Sequence, residues 1–176
     1  MYYIIAQAIG FLGMGLYIIS YQFKGNRWLM VSQLASCAAY AVHFFMLGAY
    51  TGCALQLVSV LNYCLLVYSR EHKEAWATWG GWKWVISAVF IGSTVFTWKN
   101  ALDILPCMGS VSTTIANWTR NGKTMRLARL FISGPGWLIY DAATRSYSGV
   151  LCEVFGIVSV LVSIWRYGLK ALDQKD

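Results

Sequence analysis

Seven long apolar stretches, separated by short connections, constrain this chain more than any other feature. Hydrophobic residues make up 58% of the 176 residues and charged residues only 12%, which is about half the share in soluble domains. A helix needs roughly 17–25 residues, at about 1.5 Å of rise each, to cross a bilayer core about 30 Å thick. The sequence therefore predicts an all-α membrane protein with seven transmembrane helices. The predicted spans are residues 3–21, 28–47, 51–69, 82–98, 103–119, 126–142 and 148–167.

The lysines and arginines indicate which side of a membrane each connection faces. If the N-terminus is outside, twelve of the fourteen fall on the cytoplasmic side, where positive charge is normally enriched. Only Lys99 and Arg145 then fall on the outer side. Deleting any one span from the count removes this bias, so we predict seven helices with the N-terminus outside and the C-terminus inside. The twelve cytoplasmic residues are Lys24, Arg27, Arg70, Lys73, Lys83, Arg120, Lys123, Arg126, Arg129, Arg166, Lys170 and Lys175.

The two halves of the chain show an internal repeat at an offset of 97 residues. The offset aligns Tyr50-Thr51-Gly52 with Tyr147-Ser148-Gly149, Gln56 with Glu153, and Gly25 with Gly122. A displacement of four spans leaves both halves pointing the same way, as in the parallel repeats of SWEET transporters. We therefore predict a SWEET-like 3+1+3 parallel repeat. Its parts are a first three-helix bundle at 1–70, a linker and fourth helix at 71–99, and a second three-helix bundle with a short tail at 100–176.

The sixth span is interrupted in its middle by Gly134-Pro135-Gly136. Proline removes a backbone donor and glycine lowers helix propensity, so this stretch would form a poor helix in water. In a membrane the pattern is tolerated where neighbouring helices or a cavity satisfy the freed carbonyls. Trp137 follows the break at mid-depth, where a lone tryptophan is less usual than at the interfaces. We predict a kinked helix beside a transporter-like cavity.

Three parts of the chain resemble a known family. They are Val42-His-Phe-Phe-Met-Leu-Gly-Ala-Tyr50, Ile104-Leu-Pro-Cys-Met-Gly-Ser110 followed by Lys123-Thr-Met-Arg126, and Ile164-Trp-Arg166. In order and spacing they resemble the YgjV-type bacterial inner membrane proteins over nearly the whole chain. This resemblance implies a small multi-pass protein of the bacterial cytoplasmic membrane, and it implies little about chemistry.

A more distant resemblance is to the SWEET, PQ-loop and nicotinamide-riboside transporters, which share the 3+1+3 layout. Pro106 in the fifth span and Pro135 in the sixth match the places where that group has hinge prolines. The corresponding first-half positions are Ile9 and Ala38, so the symmetric set of prolines is incomplete. The resemblance therefore implies hinges at Pro106 and at Gly134-Pro135-Gly136, and Gly10, Gly13 and Gly15 could loosen the first span in place of the missing prolines.

Glu153 is the most informative polar residue because ionisable groups inside a bilayer are costly and usually functional. It lies about one and a half turns into the seventh span, and it could bind a substrate or couple transport to protons. Alternatively, it is a structural partner for His43, which lies at a similar depth near the end of the second span. Both interpretations remain open, and His43 by itself is typical of a helix-end residue.

Trp137 and Asn62 are the other central candidates for substrate binding, since aromatic rings stack on sugars or bases and amides form directional hydrogen bonds. Ser159 is the counterpart of Asn62 at the 97-residue offset. The alternative is ordinary helix packing, in which a buried amide contributes roughly 0.6–2 kcal/mol. Gln33 and Asn117 are further candidates nearer the cytoplasmic side.

The basic residues around the start of the sixth span form a separate group: Arg120, Lys123, Arg126 and Arg129. We expect them to contact anionic lipid headgroups, a partner or a charged solute. Arg129 lies one turn inside the span, from where its long side chain can reach the cytoplasmic headgroups. At the other end of the span, the four-residue spacing of Asp141 and Arg145 predicts a local surface pair.

Several classes of function lack a signal. The chain has no glycine-rich phosphate loop, no nucleophile elbow and no HExxH motif, so we expect no enzyme activity and no cofactor. It has no carboxylate cluster for a metal, and its five cysteines lie in apolar segments without CxxC spacing. The +7 net charge is spread over many short loops instead of one face, which argues against nucleic acid as a partner.

These observations favour a small transporter or facilitator that binds a small polar solute near mid-membrane, between two three-helix bundles. The alternatives are a non-transporting receptor or assembly subunit that uses its basic cytoplasmic face, or an intramembrane enzyme built on His43 and Glu153. A homo-oligomer is compatible with each of them.

Overall fold

The structure, a computed structural model, describes residues 2–20, 26–119 and 121–171. A 3-10 turn at Ala101–Asp103 precedes α5, and a π-helical turn at Arg129–Ser133 joins α6 to α7. Since α6, the π turn and α7 follow one another directly, we call them together the α6–α7 rod. The described residues thus contain seven helical rods, in agreement with the all-α fold predicted from the sequence. The helices are α1 (Tyr2–Ser20), α2 (Asn26–Met46), α3 (Tyr50–Glu71), α4 (Trp82–Thr97), α5 (Ile104–Thr119), α6 (Gly122–Ala128), α7 (Gly134–Ala143) and α8 (Tyr147–Ala171).

Some of the residues used in the sequence analysis lie outside this description. Lys24, Gly25, Arg120 and Lys175 are outside the described residues, and so are the side chains of Arg27, Arg70 and Lys170. The predicted contact of Arg120 with lipid or anions therefore stays a prediction.

Three of the described helical segments are long and apolar enough to cross a membrane: Tyr2–Ser20, Tyr50–Ser69 and Tyr147–Leu169. Two others, Val31–Met46 and Trp82–Thr97, are apolar but shorter. With 16 residues, α4 is about 24 Å long, somewhat less than the thickness of a bilayer core. By length and composition together, the first, third and last rods are thus the clearest candidates for membrane spans.

The helices pack in a closed circuit of six rods. α1 packs on α2, α2 on α3, α3 on α5, α5 on the α6–α7 rod, that rod on α8, and α8 again on α1. α4 packs against α3 and α5 on the outside of this circuit. α2 and the α6–α7 rod each contact both of their neighbours in sequence.

One end of the bundle, which we call the N-terminal face, carries the start of α1 and the α2–α3, α4–α5 and α7–α8 connections. The Tyr3 hydroxyl donates to the Arg145 carbonyl over 3.1 Å, and Thr51 Oγ1 donates to the Thr97 carbonyl over 2.9 Å. The opposite end, the C-terminal face, carries the α3–α4 connection and the end of α8.

At the N-terminal face, α2 ends in a Schellman arrangement. The Gly48 N–H donates to the Phe45 carbonyl over 3.1 Å, and the Ala49 N–H donates to the Phe44 carbonyl over 2.9 Å. Gly48 has a φ of 71°, the left-handed conformation that lets these donors reach the last carbonyls of the helix.

α7 ends in the same arrangement. The Arg145 N–H donates to the Ala142 carbonyl over 3.3 Å, and the Ser146 N–H donates to the Asp141 carbonyl over 2.9 Å. Arg145, with a φ of 57°, takes the left-handed place that Gly48 has in α2. Each residue of the second turn lies 97 positions after its counterpart in the first.

The break at Gly134-Pro135-Gly136 becomes a π turn within a continuous helical stretch. The Gly134 N–H donates to the carbonyl of Arg129, five residues earlier. Pro135 has no N–H, and in a regular α-helix its ring would clash with the carbonyl four residues before it. The wider turn accommodates the proline, so the predicted break is a local change of helical register.

The two prolines have different settings. Pro106 is buried in the first turn of α5, where a missing N–H removes little hydrogen bonding. Gly136 lies against α5, and a Cβ at this position would come within 2.7 Å of the Leu105 carbonyl oxygen. A mid-helix interruption of the kind expected of a hinge is therefore found at Pro135 and not at Pro106.

Candidate functional site

A small cavity lies at the centre of the circuit, between α2, α3, α7 and α8. Its volume is about 30 Å³, close to the share of one molecule in liquid water. Aromatic side chains line one part of it, and two carboxyl groups line another. We call it the central cavity. Its lining residues are Tyr40, Phe44, Gln56, Trp137, Asp141, Gly149, Cys152 and Glu153.

The aromatic part of the lining joins α2 to α7. The Phe44 ring lies 5.8 Å from the Trp137 ring, and the Trp137 and Tyr140 rings meet edge to face at 6.0 Å. The Tyr140 hydroxyl accepts the Gly52 N–H over 2.9 Å. Because a Cβ at Gly109 would lie 2.9 Å from the Trp137 ring, this glycine lets α5 approach the indole closely.

One face of α8 supplies the charged part of the site. Gly149, Glu153 and Gly156 follow one another at i, i+4 and i+7, so they share a face of the helix. A Cβ at Gly149 would overlap the Asp141 carboxyl group, and a Cβ at Gly156 would overlap the Arg129 guanidinium. The two glycines thus make room for charged side chains on either side of Glu153.

Arg129 and Glu153 form a buried ion pair. Arg129 Nη2 lies 2.9 Å from Glu153 Oε2, and the side chains are only 18% and 10% exposed. The guanidinium carbon also lies 5.6 Å from the centre of the Tyr17 ring of α1, a cation–π contact. A turn earlier in sequence, Arg126 Nε donates to Ser163 Oγ over 3.0 Å. Polar contacts therefore follow the seam between the α6–α7 rod and α8.

Asp141 is buried beside this pair. It is 2% exposed, and its Oδ1 has no hydrogen-bond partner among the described residues. The Ser146 side chain is within hydrogen-bonding reach of the same carboxyl group. Asp141 also lines a cleft of about 360 Å³ at the N-terminal face, which we call the surface cleft, together with Ala142, Arg145, Tyr147 and Val150. It thus lies between the surface cleft and the central cavity.

His43 is buried at the junction of α1, α2 and α8. Its Nδ1 lies 2.7 Å from the Ala6 carbonyl oxygen, and its Nε2 lies 2.8 Å from Ser146 Oγ. Since a carbonyl oxygen can only accept, Nδ1 carries a proton and donates it to Ala6. A Cβ at Gly10 would lie 2.7 Å from the ring, so that glycine lets α1 approach the imidazole.

Asn62 belongs to a separate contact between α3 and α5. Its Nδ2 donates to Thr114 Oγ1 over 3.4 Å, and the Trp118 indole donates to its Oδ1 over 3.3 Å. All four polar atoms lie in the same interface, so the amide joins two neighbouring helices.

Comparison with known proteins identifies the family. A model of the Imp-YgjV family, described as a bacterial inner membrane protein, matches residues 4–171. The chain belongs to the Imp-YgjV family. The inner membrane protein YgjV of Escherichia coli strain K12 is 24% identical to this chain over an alignment 178 positions long. The alignment covers 97% of this chain and 90% of that protein. No solved structure matches the chain.

This family membership gives the protein its location in the bacterial inner membrane, as the resemblance seen in the sequence implied. The described helices that are apolar and long enough to span a membrane agree with that location.

In this Imp-YgjV protein, the structure brings together only some of the predicted site residues. Trp137 and Glu153 both line the central cavity. Asn62 does not, and Ser159, its expected counterpart, is exposed on α8. Gln33 is buried in α2, and Asn117 is half-buried in α5.

One pairing that was left open and one that was predicted are not found between the described residues. Glu153 pairs with Arg129 and not with His43, because the glycine at 156 leaves space for the guanidinium beside α8. Asp141 does not form a surface pair with Arg145, because the left-handed turn at Arg145 leaves the carboxyl group facing Gly149 and Ser146.

The basic group is also divided. Arg129 pairs with Glu153 inside the protein, and Arg126 contacts Ser163 and the Gly122 carbonyl. Lys123 is half-buried at the C-terminal face. Of the four basic residues expected to contact lipid or anions, Arg126 and Arg129 therefore contact groups within the protein.

The places of Asp141, Gln56, Gly149 and Gly156 in the site were not predicted from the sequence. One signal was available: a glycine, an acid and a glycine at i, i+4 and i+7 mark a single helix face with room for a large partner. Among the described residues, no three histidine, cysteine or acidic side chains are placed to hold a metal ion.

Proposed function

We propose that this Imp-YgjV protein is a small transporter or facilitator of a small polar solute. The observation that carries the proposal is the central cavity, where an aromatic wall around Trp137 and the Asp141, Glu153 and Arg129 cluster meet inside a circuit of six helices. Ionisable groups are rare inside a membrane, and where they occur they usually mark a solute or ion pathway. A purely structural bundle gains nothing from burying a second carboxyl group beside a single arginine.

The matching helix ends support a parallel 3+1+3 arrangement of the two halves. The turns after α2 and α7 use the same hydrogen bonds at positions 97 residues apart, and Tyr50 and Tyr147 begin the next helices. Gln56 and Glu153, which the same offset aligns, both line the central cavity. A binding site at the interface of two repeats is the usual arrangement in such transporters.

In our proposal the N-terminal face is outside, because that orientation leaves most lysines and arginines in the cytoplasm. The surface cleft is then the outer entrance, and the central cavity, with space for about one water molecule, is the closed part of the pathway. Lys123, at the C-terminal face, would then lie on the cytoplasmic side, where anionic headgroups attract basic residues. Rocking of the two bundles, with the α6–α7 rod bending at its π turn, would open the cavity to either side.

The direct test is solute flux in proteoliposomes. A thermal-shift screen of purified protein against sugars, nucleosides, amino acids and organic acids selects the solutes, since a ligand at 100 times its dissociation constant adds about 2.7 kcal/mol of stability. We expect flux of at least one hit, and we expect Trp137→Ala to abolish it. Trp165→Ala is the matched control, because Trp165 is 88% exposed on α8. Absence of flux for every stabilising solute would contradict the proposal.

Orientation has its own test. A fluorescent protein fused after residue 176 should be fluorescent, and alkaline phosphatase fused there should be inactive, because both report a cytoplasmic C-terminus. The opposite pair of results would contradict the proposed orientation without affecting the flux test.

The receptor alternative has less support. It requires a basic surface available to a partner, whereas Arg126 and Arg129 contact groups within the protein. The enzyme alternative required His43 beside Glu153, and these residues contact different groups.

A further inference from the structure

We propose that Asp141 and Glu153 together hold one exchangeable proton, taken up through the surface cleft, and that this proton determines whether Arg129 stays paired with Glu153. The inference deepens the proposed function, because it names the coupling ion. Its test needs no transported solute, so the two proposals can fail separately.

Geometry is the first support. Both carboxyl groups line the central cavity, whose volume of about 30 Å³ is enough for one bridging water. Asp141 is 2% exposed and Glu153 8% exposed, so neither is solvated like a surface acid. Asp141 Oδ1 has no hydrogen-bond partner among the described residues, although it borders the cavity. A buried, unsatisfied carboxylate oxygen is costly, and a proton on it provides a donor for the water or for the other acid.

The balance of charge is the second support. With both acids ionised, the cluster of Asp141, Glu153 and Arg129 carries one net negative charge in a poorly solvated place. A single proton makes the cluster neutral, which removes the cost of an uncompensated buried charge.

Among the described residues, the groups that face the two acids include no second buried cation. Tyr40 and His43 approach from α2, Gln56 from α3 and Cys152 from α8. Tyr17 of α1 contacts Arg129 from the other side. Arg145 lines the surface cleft, where it is exposed to water. His43 reaches the acids only through Ser146. Among the described residues, Arg129 is therefore the cation in direct contact with the acids.

A route for the proton is present on the side of Asp141. This residue lines both the surface cleft and the central cavity, so a proton reaching it from water need not cross apolar packing. The Ser146 hydroxyl has a single hydrogen, and it lies between His43 Nε2 and the Asp141 carboxyl group. An ionised Asp141 attracts that hydrogen, and a protonated Asp141 leaves it to His43.

The consequence for the helix follows from the position of Arg129. It is the first residue of the π turn, and its carbonyl accepts the Gly134 N–H. When Asp141 is protonated, Glu153 is the only remaining carboxylate of the pair and holds Arg129. When the proton leaves, Asp141 competes for the same guanidinium, and the π turn next to Pro135 is pulled toward α7. Proton occupancy and bending of the α6–α7 rod are thereby coupled.

Infrared difference spectroscopy of the purified protein in lipid nanodiscs tests the proton site. Spectra taken in acidic and alkaline buffer should differ by the carbonyl stretch of a protonated carboxyl group. Growth on aspartate with carbon-13 in its side-chain carboxyl should shift part of that band to lower frequency, which needs no mutation. In Asp141→Asn the shifted part should be lost.

Asp103→Asn is the matched control. Asp103 is 3% exposed, and its carboxyl group accepts the N–H groups of Lys99 and Asn100 instead of lining the central cavity. The band should persist in this variant. Absence of the band from wild-type protein, or an unchanged band in a folded Asp141→Asn protein, would overturn the inference. A band present without any solute flux would leave the proton site standing and remove the transport proposal. Solute flux without the infrared band would leave the transport proposal standing and remove the proton site.

Discussion

Gly156 of α8 lies directly against the guanidinium of Arg129, so a larger residue at this position would have to displace that group. A Cβ at position 156 would come within 2.6 Å of Arg129 Nη2. The glycine therefore sets the position of the arginine that pairs with Glu153, and it does so from a helix far from Arg129 in sequence.

We expect Gly156→Ala to destabilise the protein by about 1–3 kcal/mol, the usual cost of an extra methyl group in a filled site. Thermal unfolding in detergent measures the change. The control is Gly92→Ala in α4, where a Cβ would have no neighbour within 4 Å. That substitution should be neutral or stabilise by roughly 0.4–1 kcal/mol, since alanine restricts the unfolded chain. Equal effects of the two substitutions would argue against the crowding at Gly156.

The buried pair of Arg129 and Glu153 should show strong coupling in a double-mutant cycle. Removing one partner from such a pair typically costs about 3–5 kcal/mol, because the other charge is left uncompensated. Arg129→Met should lower the free energy of unfolding more than Glu153→Gln does, because it leaves both Asp141 and Glu153 without a cation. The double variant should be less destabilised than the sum of the single variants, and strict additivity would contradict the ion pair.

Arg145 should be replaceable by glycine with a gain in stability. The left-handed conformation, here with a φ of 57°, costs an ordinary residue roughly 1–2 kcal/mol relative to glycine. Arg145→Gly should therefore raise the melting temperature. Gly48→Ala at the matching turn, where φ is 71°, should lower it by a similar free energy. Shifts of the same sign in both variants would show that the two turns are not equivalent.

Pro135→Ala should separate stability from transport. It restores a backbone donor within the α6–α7 rod and removes a residue about 3 kcal/mol less favourable than alanine in a helix, so the protein should become no less stable. Solute flux should fall, because a regular helix can form without the proline and the α6–α7 rod then loses the π turn at which it bends. Pro106→Ala, in the first turn of α5, is the control and should leave flux unchanged. A Pro135→Ala protein with normal flux would remove the hinge from the mechanism.

The positions of the helices could be predicted because an apolar stretch of sufficient length is a local property of the sequence. The predicted sixth span, 126–142, lies within the observed rod from Gly122 to Ala143. The change of helical register inside the rod also depends on a local feature of the sequence, because it accommodates Pro135. What could not be predicted was that the proline would follow a π turn, in which the Gly134 N–H reaches the carbonyl of Arg129.

The charged site could not be predicted in the same way, because its contacts join residues distant in sequence. Arg129 is close enough to the end of its span to reach headgroups, and only the gap at Gly156 shows that it turns inward. Asp141 and Arg145 have the spacing of a helical surface pair. The helix ends between them, however, and the turn sends the two side chains in different directions.

The π turn also bears on how this family can change in length. It contains one residue more than an α-helical turn. The extra residue relieves the clash that the Pro135 ring would make with a carbonyl in a regular α-helix. A relative without this proline has no clash to relieve, and a single-residue deletion there would restore a regular helix without turning Trp137 away from the centre. Natural sequences should therefore gain or lose the proline and one neighbouring residue together, and a homologue that keeps one without the other would carry a strained helix.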